Sequence, residues 1–204
     1  MIDNTLKHGP GIYVFEGIDN VGKTTIIRSL KAKLEQSTEY DCVSYAFPGD
    51  ESGTLGKLVY DIHHNGEDYF NAPINEISLQ IMHIAAHIDL IQRKLLSQSR
   101  FSKIILMDRY WWSAYAYGLS GDIDKKMIDA IIAPEMLYWE KVAVNRIYLL
   151  ERKCRETVYD AEKEKDIINN YQELAKNDFR CRIVNNDLEL STAVDQIYND
   201  ILGV

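Results

Sequence analysis

The residues best suited to chemistry lie in Glu16-Gly17-Ile18-Asp19-Asn20-Val21-Gly22-Lys23-Thr24-Thr25, which matches the spacing G-x-x-x-x-G-K-[ST] at every fixed position. Gly17 and Gly22 let the backbone curl so that successive N–H groups converge on one anion. Gly17, Asn20, Val21, Gly22, Lys23, Thr24 and Thr25 are therefore candidate contacts to the phosphates of a nucleotide. Lys23 can reach the β and γ phosphates, and the Thr24 hydroxyl can ligate Mg²⁺. The match has the right surroundings, with an apolar strand before it (Ile12 to Phe15) and an apolar-periodic helix after it (Ile26, Ile27, Leu30, Leu34). Such a helix aims its positive end at the same anion. A chance glycine turn would not bring strand, loop and helix together with Lys-Thr.

A second place with chemical content is Ile104-Ile105-Leu106-Met107-Asp108-Arg109. An aspartate at the end of an apolar strand can serve Mg²⁺ or a metal-bound water, although alone it could equally cap a helix or sit in a turn. Arg109 beside it can hold a phosphate bidentately without losing its charge. One loop for one phosphate chain and one arginine for another imply two phosphorylated substrates.

These residues need strands that end together. Apolar strands are expected at Gly11–Phe15, Asp41–Phe47, Lys103–Met107, Asn145–Leu150 and Phe179–Val184, and helices at Glu76–Leu96, Lys125–Trp139, Ala161–Lys176 and Ser191–Leu202. The alternation predicts an α/β protein, three layers α/β/α, with a five-stranded parallel sheet covered on both faces. Ligands in such sheets sit beyond the carboxyl ends of the strands. The 204 residues suit one domain, and no repeat or flexible linker divides them. The net charge is −8 and no Lys/Arg block stands out, which disfavours wrapping of nucleic acid but not a small basic pocket. Three widely spaced cysteines without C-x-x-C read as reduced thiols of a cytoplasmic protein. Met1 to Pro10 is polar, so neither a membrane span nor a signal peptide is expected.

The two motifs together resemble those of the thymidylate kinase family, nucleoside monophosphate kinases with a P-loop NTPase fold. Phe15-Glu16-Gly17-Ile18-Asp19 through Lys23-Thr24-Thr25 is similar to that family's phosphate loop, and Asp108-Arg109-Tyr110-Trp111-Trp112-Ser113-Ala114-Tyr115-Ala116-Tyr117 to its D-R-[YFHW]-x-x-S-x-x-A-[YF] signature. Phe47-Pro48 resembles its Phe-Pro step after the second strand. The resemblance implies one kinase domain over 1–204, using ATP and Mg²⁺, with a short lid near 151–160, and by analogy a homodimer. It implies that Asp19 binds the deoxyribose 3′-hydroxyl, Arg109 the acceptor phosphate, and Asp108, with Thr24, the Mg²⁺ ion. Phe47, Pro48 and Ser113 would line the acceptor site, and Tyr117 would crowd the 2′ position. Trp111, Trp112 and Tyr115 read as packing.

The chain also departs from the family pattern. Where relatives place an arginine near the Phe-Pro step, it reads Gly49-Asp50-Glu51, whose acids would oppose a phosphate. The positions of a base-stacking Phe and a base-reading Arg hold His83 and His87, one helical turn apart. They could stack on and hydrogen-bond a base, or serve as ordinary half-buried helix residues. Gly118 stands where many relatives have Gln. Position 20 is Asn rather than a catalytic arginine, so the lid must supply that cation from Arg152, Lys153 or Arg155. By family position Arg152 could instead lie over the donor adenine, framed by Asn185 and Asn186. Glu16 could act as a base or support the loop. His63-His64 before Asn65-Gly66 reads as a surface loop rather than a metal cluster. The expected reaction is ATP-dependent phosphorylation of a deoxynucleoside monophosphate, with dTMP as the first acceptor. A different or base-modified deoxynucleotide is the first rival, and a catalytically weak nucleotide-binding regulator the second.

Overall fold

The computed structural model describes residues 8–96, 102–121, 123–153, 156–157, 159–187 and 189–204. Five strands, β1 (Gly11–Glu16), β2 (Asp41–Ala46), β3 (Lys103–Asp108), β4 (Val144–Glu151) and β5 (Cys181–Asn185), form one parallel sheet in the order β2-β3-β1-β4-β5. Every residue of β1 is buried, which requires cover on both faces. Among the described residues seven α-helices supply the cover: α1 (Lys23–Ser37), α2 (Leu55–His64), α3 (Glu76–Leu90), α4 (Trp111–Ser120), α5 (Lys125–Trp139), α6 (Ala161–Lys176) and α7 (Leu190–Leu202). Helices α1 and α7 pack together, whereas α2 to α6 pack among themselves.

The chain fills one side of β1 with β3 and β2, then the other with β4 and β5, so a crevice opens at the carboxyl end of β1. The register sets Phe15 beside Asp108, and Asp108 beside Ala46. Three loops therefore leave the sheet from one place. The main core joins Val14, Phe15, Leu106, Ile147, Leu30 and Ile197 across the layers. A smaller one, Ile84, Ala114, Ile123, Ile128, Ile131 and Ile132, ties α3, α4 and α5 together beside it.

The expected strands and helices are present with shifted ends. β5 begins at Cys181 rather than Phe179, and α3 leaves α-helical form after Leu90 for a π-helical turn, Ile91–Leu95. Two helices were not anticipated. α2 carries the supposed surface loop, His63-His64, as its last turn, and α4 follows Asp108-Arg109 directly. Thr54 caps α2 by accepting from the Lys57 N–H at 3.2 Å, and Val59 and Ile62 bury one face. Among the described residues no helix is long and apolar enough to cross a membrane, and Cys42 and Cys181 are free thiols.

Candidate active site

The phosphate loop connects β1 to α1. Gly22 precedes α1 at φ 97° and no side chain caps it there, which leaves the N–H groups of the first turn facing the cavity. A Cβ on Gly22 would stand 2.6 Å from Asn186 Nδ2, so glycine is required for space as well as for φ. Asn186 donates to the Val21 carbonyl at 2.7 Å. It thus ties the loop to the end of β5. Lys23 donates to the carbonyls of Gly17 (2.7 Å) and Ile18 (3.0 Å). Burial, then repulsion from Arg109, push its ammonium down to about 8. An anion in the loop would relieve that penalty.

Thr24 Oγ1 donates to Asp108 Oδ2 at 2.7 Å, placing a hydroxyl and a carboxylate side by side at the loop mouth. Two oxygen donors of this kind suit a small hard cation. The cavity of about 490 Å³ in front of the loop is lined by Asn20, Lys23, Thr24, Thr25, Asp108 and Arg109, among others.

Arg109 is held in the left-handed region, φ 79°, an unfavourable conformation for a non-glycine residue. Its N–H donates to the Phe15 carbonyl at 2.9 Å, which ties the turn to β1. The guanidinium pairs with Asp19 Oδ1, donates to Ser113 Oγ at 3.0 Å and lies 5.5 Å from the centroid of the Tyr117 ring. Tyr159 donates to Asp19 Oδ2 at 2.6 Å, and the Asp19 N–H donates to Tyr117 Oη at 3.0 Å. Burial alone would raise the Asp19 carboxyl, but Arg109, the Tyr159 hydroxyl and Lys23 hold it below the usual carboxylate value.

Glu16 supports this turn and does not reach into the cavity. It is fully buried and accepts from the N–H groups of Tyr110 (2.7 Å) and Ser113 (3.1 Å), from Ser113 Oγ (2.8 Å) and from Tyr171 Oη (3.1 Å). The N-terminus of α4 has no cap of its own, so a carboxylate from β1 caps it across the fold. Burial raises the Glu16 carboxyl, while Arg109 and Ser113 act the other way.

Beyond Arg109 lies a second cavity of about 380 Å³, lined by Asp19, Phe47, Pro48, Ser113, Tyr117 and a wall of histidines. The Phe47 ring stacks on His87 with centroids 4.0 Å apart and planes 10° apart. His87 is buried, its Nδ1 3.0 Å from Glu135 Oε2; Glu135 also accepts from Trp139 Nε1 at 2.8 Å. His83 lines the same wall, its Nε2 2.8 Å from His63 Nδ1. Burial, then His87, His63 and Arg109, push the His83 imidazole down to about 2, so it is neutral at pH 7. His63 is lowered as well, by burial, His64 and Arg109. His63 and Tyr60 belong to α2, and the spacing of Leu55, Val59 and Ile62 behind Thr54 was the signal that could have found that helix. Tyr171 and Glu135 carried no readable signal.

The acidic step after Pro48 is partly neutralised: Lys94, from the π-helical turn, reaches Glu51 at 3.0 Å. Asp50 lines the cavity before the loop. At Gly118 a Cβ would stand 2.6 Å from Ile128 Cδ1, so a larger residue there would require the end of that side chain to shift. Arg152 is exposed and lines a third cleft, of about 350 Å³, with Gly17, Val21, Asn185 and Asp187. The Lys153 N–H donates to Asp187 Oδ1 at 2.6 Å, and Asn20 Nδ2 donates to the Glu156 carbonyl at 3.1 Å. Arg155 lies outside the described residues.

A phosphate loop after the first strand of a parallel sheet, with an aspartate at the end of the neighbouring strand, is the architecture of the P-loop NTPases. The chain belongs to the thymidylate kinase family: the family model "Thymidylate kinase" matches residues 15–201. The chain is 27% identical over 201 residues to "Probable thymidylate kinase" of Thermococcus onnurineus, covering 94% of this chain and 95% of that one. It is 24% identical over 219 residues to "Probable thymidylate kinase" of Methanocaldococcus jannaschii, covering 100% and 96%. The crystal structure of thymidylate kinase from Ehrlichia chaffeensis superposes with a TM-score of 0.76 at 20% identity, covering 95% of this chain and 99% of that one. This protein is accordingly an ATP-dependent nucleotide monophosphate kinase.

Proposed function

We propose that this kinase transfers the γ-phosphate of ATP to dTMP, giving dTDP and ADP. One observation carries the reading: Asp19, Phe47, Tyr60 and Arg109 line both the cavity before the phosphate loop and the histidine-walled cavity, so the two meet end to end at a guanidinium. Donor phosphates on the loop and an acceptor phosphate on Arg109 would face each other there. An acceptor phosphate oxygen attacks the γ-phosphorus, and the bond to the β–γ bridging oxygen breaks, leaving ADP. The protein's task in that step is alignment and charge neutralisation.

In this reading Gly17, Asn20, Val21, Gly22, Lys23, Thr24 and Thr25 hold the donor phosphates, and Lys23 stabilises charge on the group in transit. Asp19 receives the 3′-hydroxyl, and Tyr117 closes the space a 2′-hydroxyl would need. Phe47, Pro48, Ser113, His83 and His87 enclose sugar and base. Thr24 and Asp108 would hold Mg²⁺, which when bound neutralises charge on the donor phosphates. Arg152, beside Gly17 and Asn185, suits the donor adenine, and Arg155 remains the proposed lid cation for the transferring phosphate. The segment 151–160, bonded to the loop through Asn20, is the proposed lid of a single 1–204 domain.

The test is a coupled ADP assay with ATP, Mg²⁺ and a panel of nucleoside monophosphates. Turnover with dTMP at least about tenfold above the ribonucleotide UMP is expected, the scale of one well-placed steric contact. No ADP above the acceptor-free background with dTMP would remove the assignment. A second reading, a different or base-modified deoxynucleotide acceptor, draws support from the histidine wall.

A further inference from the structure

The wall of the acceptor cavity carries two imidazoles bonded to each other, from residues twenty apart in sequence on α2 and α3. Resting on the reading of that cavity given above, we propose that His63 and His83 form a tautomer-coupled pair that reads the acceptor base and admits both 4-keto and 4-amino pyrimidines. The argument begins with the proton count. His63 Nδ1 and His83 Nε2 lie 2.8 Å apart, so one of these nitrogens carries a proton and the other offers a lone pair. His83 is half-buried and His63 is exposed on the cavity wall; burial first, then the neighbouring histidines and Arg109, lower both imidazoles and keep them neutral near pH 7. A neutral imidazole has one N–H and one bare nitrogen.

The outward nitrogens are therefore opposite in character. If His63 donates, His83 presents Nδ1–H and His63 a bare Nε2. If His83 donates, its Nδ1 is bare and His63 presents Nε2–H. Moving the protons swaps donor for acceptor at both outer positions without losing the bond between the rings. No other hydrogen bond to either ring is made among the described residues, and His64 is engaged separately, its Nδ1 2.8 Å from the Tyr60 carbonyl.

A pyrimidine edge poses the matching question. Its C4 substituent is an acceptor in thymine or uracil and a donor in cytosine. A site with a fixed donor rejects the wrong substituent by orders of magnitude, because a buried polar group is left unpaired. His83, the more enclosed ring, meets either substituent by choosing its tautomer, and His63 acts as the positioning residue that takes up the complementary one. The stacked Phe47 and His87 behind it give a flat wall that tolerates either base.

The experiment has two arms. Steady-state kinetics with dTMP, dUMP and dCMP should give kcat/KM values for 4-keto and 4-amino acceptors within about tenfold of each other. Nitrogen-15 NMR of the histidine-labelled protein, saturated with dTMP or with dCMP in the absence of ATP, should show the Nδ1 and Nε2 signals of both rings exchanging character between the two complexes. His83→Leu should reduce kcat/KM for both acceptors at least about tenfold while the KM for ATP stays within about twofold. Turnover of dTMP with rejection of dCMP by more than about a thousandfold would overturn the pair and leave the kinase assignment standing, as would identical tautomers in both complexes. Failure with every monophosphate would remove both readings.

Discussion

The two ends of the joined cavity are built differently. The phosphate end rests on strand termini of the central sheet, and most of its groups come from two short motifs, with each partner near a loop of fixed conformation. The base end is walled by α2, α3 and α4, and α3 and α4 share with α5 a small core separate from that of the sheet. Its groups bond across elements: His63 to His83, and His87 to Glu135. Charge recognition is thus carried by backbone geometry and ions, which any phosphate satisfies. In the proposed reading base recognition rests on exchangeable side chains, and His83 and His87 are among the positions where this chain departs from the family pattern.

If the phosphate end is responsible for the chemistry, Arg109→Ala should lower kcat/KM by about 10³-fold, and Lys23→Ala by about as much, with little change in Tm. Near-wild-type kinetics from either variant would remove that residue from the site. Glu16→Ala tests whether this end depends on a buried cap. It leaves the Tyr110 and Ser113 N–H groups without their acceptor, so a loss of about 3 kcal/mol is expected in urea denaturation, together with reduced activity.

The base end makes a prediction about pH. Burial and the neighbouring histidines push the His83 imidazole down from 6.5 to about 2 in the folded protein. Between those limits the unfolded chain binds a proton that the folded one refuses. Stability therefore falls as pH drops below 6.5, by about 1.4 kcal/mol per pH unit from this group. His83→Phe should lose about 2 kcal/mol less than wild type between pH 7 and 5 in paired urea melts. Parallel pH profiles would mean that the ring is not enclosed. Smallest of all, Glu135→Gln should raise the acceptor KM about fivefold and leave the KM for ATP unchanged, because it alters His87, and through it Phe47, without touching the loop. Equal effects on both substrates would erase the distinction between the two ends.

Most of the phosphate end was legible in the residues. The loop with its flanking strand and helix is one contiguous stretch and Asp108-Arg109 ends another, and backbone preference positions each. The role of Glu16 was left open because its partners, Tyr110, Ser113 and Tyr171, lie 94, 97 and 155 residues away. The acids after Pro48 looked unopposed because Lys94 reaches Glu51 only after a π-helical turn redirects the end of α3. His63-His64 looked like a turn because Asn-Gly follows, whereas the Thr54 cap and the buried Val59 and Ile62 carry the helix up to that point.

By itself the sequence determined the strand–loop–helix that cradles phosphate, the alternation that yields a parallel sheet, and the arginine that follows β3. These depend on spacing along the chain, where glycine conformations and hydrophobic period act over a few residues. Only the tertiary structure decided that Glu16 caps α4, that Arg109 stands between two cavities, and that His63 meets His83. Those contacts arise from how helices pack across the sheet, and the energy of burying and pairing polar groups depends on neighbours that no local pattern specifies.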